Sequence, residues 1–402
     1  MPAIERASIR KILDSRGNAT VEVDLFAGFR TRVAAPSGAS TGTHEAQAFP
    51  KGGVDEAIRL FRNELASRLT GRDVADQAGL DALLREADGT PNFARLGGNV
   101  AVAVSLANAK AAALAAGQPL YRFLGGPSAQ KMPFPFGNVI GGGRHAIGGT
   151  TIQEYLVVSQ GPTAVGNVFA NARVHRLIKE ALMKRHPDDP LGRGDEGAWV
   201  AKIDDEDALA LLADSCKAVE KEVGFSVRPA MDLAAAEFYS DGKYRYRTKV
   251  LSPPQQIDFL ERMVKDYGVY ALEDPLDQED FEGFAQLTKA VGKRCVIIGD
   301  DLFCTNVARL RKGISAGSGN AILIKPNQIG TLTETRATVE AARKAGYSTV
   351  VSHRSGETTD DTIAHLAVAF GSLGIKTGTV GGERIAKLNE LIRIEEELHG
   401  GT

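Results

Sequence analysis

The sequence predicts a two-part α/β protein, a small N-terminal α+β capping domain over residues 1–126 and a parallel α/β barrel over residues 127–402. Three observations predict it. Residues 4 to 35 alternate apolar and polar positions in the manner of a half-buried antiparallel sheet. Gly125-Gly126-Pro127-Ser128 and Met132-Pro133-Phe134-Pro135 form the clearest Gly/Pro boundary in the chain. Beyond it, short apolar strands alternate with helical segments and each strand ends in a polar residue, the pattern of a barrel whose pocket gathers at the C-terminal strand ends.

In order along the chain, Ile4, Ile9, Val21, Val23, Leu25 and Val33 mark the sheet, which turns at Asp14-Ser15-Arg16-Gly17-Asn18. A loop of small residues and hydroxyls, Pro36 to Glu45, reads either as a flexible linker or as a mobile lid over a ligand. Helical spacing covers 54–70 and 74–88, and the alanine-rich run Asn99 to Ala116 is a strong helix former. Gly141 to Gly149 lacks the spacing and lysine of a phosphate-binding loop, and is better read as a second mobile loop carrying His145. A strand over 152–158 carries Glu154 near its start, and a glycine-rich loop, 192–199, presents Asp195 and Glu196. Successive strands then end at Asp232, Glu273, Asp300, Lys325, His353 and Lys376, and an amphipathic helix closes the chain over 385–399.

Composition narrows the function. The chain has 402 residues and a net charge of -2, which gives no general electrostatic reason to expect nucleic acid or a membrane surface, so the expected partner is a small molecule. Cys216, Cys295 and Cys304 include no CxxC pair and read as reduced structural thiols. The N-terminus lacks the apolar core of a signal peptide and no run of eighteen apolar residues occurs, so the expected location is cytoplasmic.

The strand-end residues carry the chemistry. Asp232, Glu273 and Asp300 make an oxygen-only site suited to magnesium or manganese rather than zinc. Lys325 is the candidate base; a lysine accepts a proton only when neutral, and neighbouring cations such as Lys376 and a divalent metal favour that form. The combination points to abstraction of a proton α to a carboxylate.

These residues lie in motifs that resemble the enolase family along essentially the whole chain, and the archaeal type most. The motifs are Asp14 to Asn18, Ser37-Gly38-Ala39-Ser40-Thr41-Gly42, Gln153-Glu154, Gly194 to Gly197, Glu273-Asp274-Pro275, Gly299 to Leu302, Lys325 to Thr335, Ser352 to Thr358 and Lys376-Thr377-Gly378. The resemblance implies a small N-terminal domain on an atypical eight-stranded barrel and dehydration of 2-phosphoglycerate to phosphoenolpyruvate. It implies Lys325 as base, and Glu196 as the acid that assists hydroxide departure, supported by Glu154, with His145 on the second mobile loop. It implies two magnesium ions, one held by Asp232, Glu273 and Asp300 and one by Ser40 and substrate phosphate. His353, Arg354, Ser355 and Lys376, with Gly38 and Ala39 of the lid, would hold the substrate. A homodimer or larger homo-oligomer is implied, with ion pairs between subunits at Arg10 with Glu396 and Glu22 with Arg393.

The chain departs from the family pattern at Gln47 to Gly52, at Val380-Gly381-Gly382 and at His365. Reshaped loops around an intact site suggest an alternative, a paralogue of phosphonate and phosphinate natural-product pathways such as carboxyphosphonoenolpyruvate synthase. A third reading, a non-catalytic scaffold, leaves the base, the acid and the metal ligands without a purpose.

Overall fold

The computed structural model describes residues 1–38, 42–146, 148–185, 187 and 190–400. Ala39 and Ser40, expected in the lid, lie outside the described residues. Three antiparallel strands open the chain, β1 (Arg6–Leu13), β2 (Ala19–Phe26) and β3 (Arg30–Ala34), in sheet order 1-2-3. Ile9, Val21, Val23, Leu25 and Val33 are all buried, as the two-residue period requires of a sheet covered on one face. At the β1–β2 turn the Asp14 carboxylate accepts the N–H groups of Arg16 and Asn18 at 2.9 and 2.8 Å, an aspartate-stabilised turn.

Of the helices α1 (Gly53–Leu60, continuing through a π turn at Phe61–Leu65), α2 (Gln77–Asp88) and α3 (Gly98–Ala115), the first and third pack on this sheet and α2 packs on α3. The second starts three residues later than the 74–88 spacing predicts. Asp76 is its cap and accepts the N–H of Gly79 at 2.9 Å, so the residues before it cannot be helical. Helix α3 is long and apolar enough to pass for a membrane span by length and composition, yet 83% of it is buried inside the protein. It is a core helix, apolar on every side because it is packed on every side.

Eight strands then close into a barrel: β4 (Phe134–Gly141), β5 (Glu154–Ser159), β6 (Val227–Asp232), β7 (Ala271–Glu273), β8 (Val296–Gly299), β9 (Ala321–Ile324), β10 (Ser348–Ser352) and β11 (Gly374–Lys376). Their order follows the chain, and β11 closes on β4. The helices that alternate with the strands are α4 (Ala164–Arg185), α5 (Asp205–Val223), α6 (Pro253–Tyr267), α7 (Phe281–Val291), α8 (Val307–Ala316), α9 (Leu332–Lys344), α10 (Thr362–Ala369) and α11 (Gly382–Leu398). Phe136, Leu156, Ala230, Ile298, Leu323 and Val350 belong to a separate buried cluster contributed by successive barrel strands. The centre is therefore filled by side chains.

The strand pattern predicts a parallel barrel, and one strand differs. β5 is antiparallel to both β4 and β6. The physical reason is the connection: no crossover helix lies between β4 and β5, and a parallel pair needs one whereas an antiparallel pair does not. The reversal has a functional consequence. Glu154 begins β5 yet sits level with Asp232, which ends β6, so the two acids share one rim.

The N-terminal layer is clamped onto the barrel beside Lys325. Arg85 of α2 donates to Glu334 and to the Ile329 carbonyl, each at 2.8 Å, and its guanidinium lies 4.0 Å from the Phe93 ring centre. Gly330 sits against that ring at φ +98°, and an added Cβ would approach the ring to 2.4 Å. Gly330→Ala is therefore expected to destabilise the protein by about 1–3 kcal/mol, from left-handed strain and ring displacement together. An unchanged melting temperature would contradict this packing.

Candidate active site

Nine side chains meet at the barrel's C-terminal rim: Asp232 and Lys376 end their strands, Asp300, Lys325 and His353 follow theirs directly, Glu154 begins the reversed β5, and His145, Glu196 and Arg354 come from loops over the rim. His145, Glu154, Glu196, Asp232, Asp300, Lys325, His353, Arg354 and Lys376 line one polar cavity with Gly38, Gln153 and Ser355. Glu273 ends β7 and is level with Asp232 across the sheet. Every candidate site residue among the described residues is thus either in this cavity or bonded to one that is.

Two ammonium groups organise the acids. Lys376 Nζ donates to Asp232 and Glu273 at 2.8 Å each and lies 3.3 Å from Glu154. Lys325 Nζ bonds Asp300, whose other oxygen accepts Gln328 Nε2 at 2.9 Å. The cations around Lys325 do push its pKa down, as expected. Burial, the largest influence, works in the same direction as Arg354 and Lys376, but the Asp300 and Glu273 carboxylates act against them and the net pKa is raised. Sequence reasoning had the cations right and omitted the counter-ion that dominates them.

A second cluster joins acids to imidazoles. His145 Nδ1 lies 3.2 Å from Glu154 and 3.6 Å from Glu196, and His353 Nε2 lies 3.2 Å from Glu196. Burial and then the Glu196 charge push Glu154 up to about 7, against the pull of Lys376 and His145. Burial alone would raise Glu196 too, but His353, His145 and Arg384 draw it well below the carboxylate range. Burial holds His353 down at about 4 in spite of Glu196.

Glu154 gives stability a pH signature. From its ordinary 4.5 to its folded value of about 7, the unfolded chain has shed this proton and the folded chain still holds it, so stability falls as pH rises through that window. Glu154→Gln cannot ionise. Its urea midpoint, relative to the parent protein, is expected to be higher at about pH 8 than at about pH 5. A pH-independent difference would show that Glu154 titrates normally.

The loop after β10 is held from three sides. Arg354 pairs with Glu45 at 2.9 Å and donates to Asn327 Oδ1 at 3.0 Å. The Glu357 carboxylate accepts the Thr358 N–H at 3.0 Å and pairs with the fully buried Lys387 at 2.7 Å. Ser15, in the β1–β2 turn, accepts the Glu357 N–H at 3.0 Å, which ties the first motif of the chain to this one.

Sequence reasoning missed Arg384, which is 0% exposed and reaches His353, the Arg354 and Ser355 carbonyls and the Asp195 carbonyl. One signal was available. An arginine in the first turn of a helix opposes the helix dipole, and that position calls for a specific partner. Asp274 was likewise passed over; it accepts the N–H groups of Asp300 and Asp301 at 2.8 and 2.7 Å and so shapes the turn that carries Asp300.

The two departing loops take defined places. Segment 46–48 is pinned by backbone bonds from Ala46 to Gln328, from Gly98 to Gln47 and from Asn99 to Ala48. Val380 backs the Glu196 loop: a Cβ on Gly197 would come within 2.5 Å of its carbonyl oxygen. His365 pairs with Glu390 at 3.1 Å, on α10 and α11.

Asp232, Glu273 and Asp300 fit a hard divalent cation. All three are buried, Glu273 Oε1 has no hydrogen-bond partner among the described residues, and burial with Asp232 and Asp300 drives the Glu273 pKa well up. Carboxylates crowded in this way gain from a cation with oxygen preference. Asp232, Glu273 and Asp300 are spread more widely, with Lys376 Nζ between the first two and Lys325 Nζ on the third. Among the described residues the acidic groupings with closely gathered ligand atoms are His145 with Glu154 and Glu196, and Asp274 with Asp300 and Asp301, of which Asp274 is engaged in backbone bonds.

Comparison with known proteins agrees with this geometry. Residues 4–124 match the family model "Enolase, N-terminal domain", and residues 129–402 match "Enolase, C-terminal TIM barrel domain". A protein named Enolase from Methanothermobacter thermautotrophicus is 55% identical over 98% of this chain and 97% of its own length. Proteins of the same name from Picrophilus torridus and Natronomonas pharaonis are 50% and 51% identical, each over 98% of this chain and 99% of their own length.

Proposed function

The chain belongs to the enolase family, and from that premise we infer that it is a phosphopyruvate hydratase, a carbon–oxygen lyase of glycolysis that converts 2-phosphoglycerate to phosphoenolpyruvate. The observation that carries the reading is the pairing of Lys325 with a buried acid set on one side of the cavity and the Glu154–His145–Glu196 cluster on the other.

Magnesium belongs to the family's chemistry, and here Asp232, Glu273 and Asp300 would hold it; when bound it supplies positive charge against the dianion that develops as the α-proton leaves. The residues of the chain do the rest. Lys325 Nζ takes the α-proton as the neutral amine, the form that burial, Arg354 and Lys376 favour once Asp300 no longer pairs with it and its own proton has been lost to solvent. Arg354 and Lys376 add positive charge beside the substrate's anionic groups, with Ser355 and the lid backbone at Gly38. Glu196 donates the proton that leaves with the hydroxyl. Of the two carboxyls Glu154 holds a proton more readily than Glu196, and the negative charge of an arriving substrate favours the protonated form of Glu196. Burial of Glu154, Glu196, Arg354, Ser355 and Lys376 limits water around them and strengthens each interaction.

The pinned segment 46–48 argues against a site opened for a bulkier phosphorus substituent. A homodimer is part of the same reading. Within one chain Arg10 is engaged by Glu22 and Asp24, and Arg393 by Glu390; exchange of Arg10 toward Glu396 and of Glu22 toward Arg393 would accompany pairing of subunits. The test of function is magnesium-dependent formation of phosphoenolpyruvate, followed by the ultraviolet absorbance of its double bond. A kcat/KM of about 10⁴ M⁻¹s⁻¹ or above is expected. A folded, magnesium-binding protein that leaves 2-phosphoglycerate unchanged would overturn the reading in favour of the phosphonate-pathway paralogue.

A further inference from the structure

We infer that Arg384 is a positioning residue that fixes the tautomer of His353, obliging the imidazole to carry its single proton on Nε2, the nitrogen that faces Glu196. The argument is one of donors and acceptors. Arg384 Nη1 lies 2.8 Å from His353 Nδ1. A guanidinium has only donors and stays charged inside proteins, so Nδ1 must offer its lone pair. A proton on Nδ1 would point one N–H at another.

The guanidinium has no freedom to turn aside. Nη1 also donates to the Arg354 carbonyl at 2.6 Å, and Nη2 donates to the Ser355 and Asp195 carbonyls at 2.6 and 3.0 Å. These three carbonyls belong to the loop that carries His353 and the loop that carries Glu196, so Arg384 fixes the position of both partners. With Nδ1 committed, the proton falls to Nε2, which lies 3.2 Å from Glu196 Oε1 and makes no hydrogen bond to any described residue, while Asn138 donates to Oε2 at 3.2 Å. The charged groups that bear on His353 are Glu196 from the 194–197 loop, Arg384 from α11 and Glu357 from its own loop. Their arrangement leaves His353 able to donate toward Glu196 but never to accept from it. The candidate acid then accepts from Asn138 at one oxygen and has the Nε2 proton of an imidazole in front of the other.

The experiment is nitrogen NMR of the full-length protein labelled at histidine, with His353→Gln used to assign the signal among the seven histidines. A pyridine-type Nδ1 and a pyrrole-type Nε2–H are expected from about pH 6 to about pH 8. A protonated Nδ1, in either the other tautomer or the imidazolium, would overturn the inference. In Arg384→Met, which keeps bulk and loses the donors, the Nδ1–H form or the imidazolium is expected to appear. Its kcat should fall about 10²-fold while KM changes much less. A folded Met variant with the parent tautomer would also overturn it. If that variant does not fold, the parent spectrum decides alone. Only the kinetic arm rests on the enolase reading. A correct tautomer in a protein without enolase turnover would sink that reading and leave this one standing.

Discussion

Lys325→Ala should lower phosphoenolpyruvate formation by about 10⁴-fold or more, the largest effect expected of any substitution outside the metal ligands. The expectation follows from position and chemistry together. Lys325 directly follows β9, its Nζ is buried, and its partner there is Asp300. An alanine leaves no group able to accept the α-proton at that place. Its structural cost must be measured in parallel, because removal of one member of a buried pair leaves Asp300 uncompensated, at a penalty of about 3–5 kcal/mol. Magnesium binding opposite Asp300 should offset part of that penalty. A folded variant with turnover within tenfold of the parent protein would remove Lys325 from the role of base.

Glu273→Gln should weaken magnesium binding by about 10²-fold or more, since it keeps the shape of a central ligand and deletes its charge. Glu273 is a sensitive probe because its two oxygens differ. Oε2 accepts Lys376 at 2.8 Å, and Oε1 has no hydrogen-bond partner among the described residues. Burial and two neighbouring carboxylates oppose its ionisation, so a carboxyl at this place adds nothing to stability as an anion unless a cation is there to meet it. Calorimetric titration with magnesium would check this. An unchanged dissociation constant would exclude Glu273 from the ligand set.

The barrel and its rim were legible in the sequence because one rule generates both. A buried strand reads as an apolar run, and the polar residue that ends it must emerge where the strands end, so Asp232, Glu273, Asp300, Lys325, His353 and Lys376 converge without any knowledge of their contacts. The direction of β5 was not legible, since an apolar strand looks the same in either direction. Only the lack of a crossover helix before it reveals the reversal that brings Glu154 to the rim. Protonation states were not legible either. Lys325 is governed by Asp300, and Glu154 by Glu196; those distances arise from loops that fold back over the rim. Arg384 was hidden for a further reason. It acts mainly through backbone carbonyls, which carry no sequence signature.

The central claim is that Lys325 removes the α-proton and Glu196 assists departure of the hydroxyl as separate events. Proton NMR of 2-phosphoglycerate in heavy water with magnesium tests it directly, with the parent protein, Lys325→Ala and Glu196→Gln compared side by side. Loss of α-proton exchange in Lys325→Ala, together with exchange that outlasts dehydration in Glu196→Gln, is the expected result. Exchange that persists in Lys325→Ala would contradict the account.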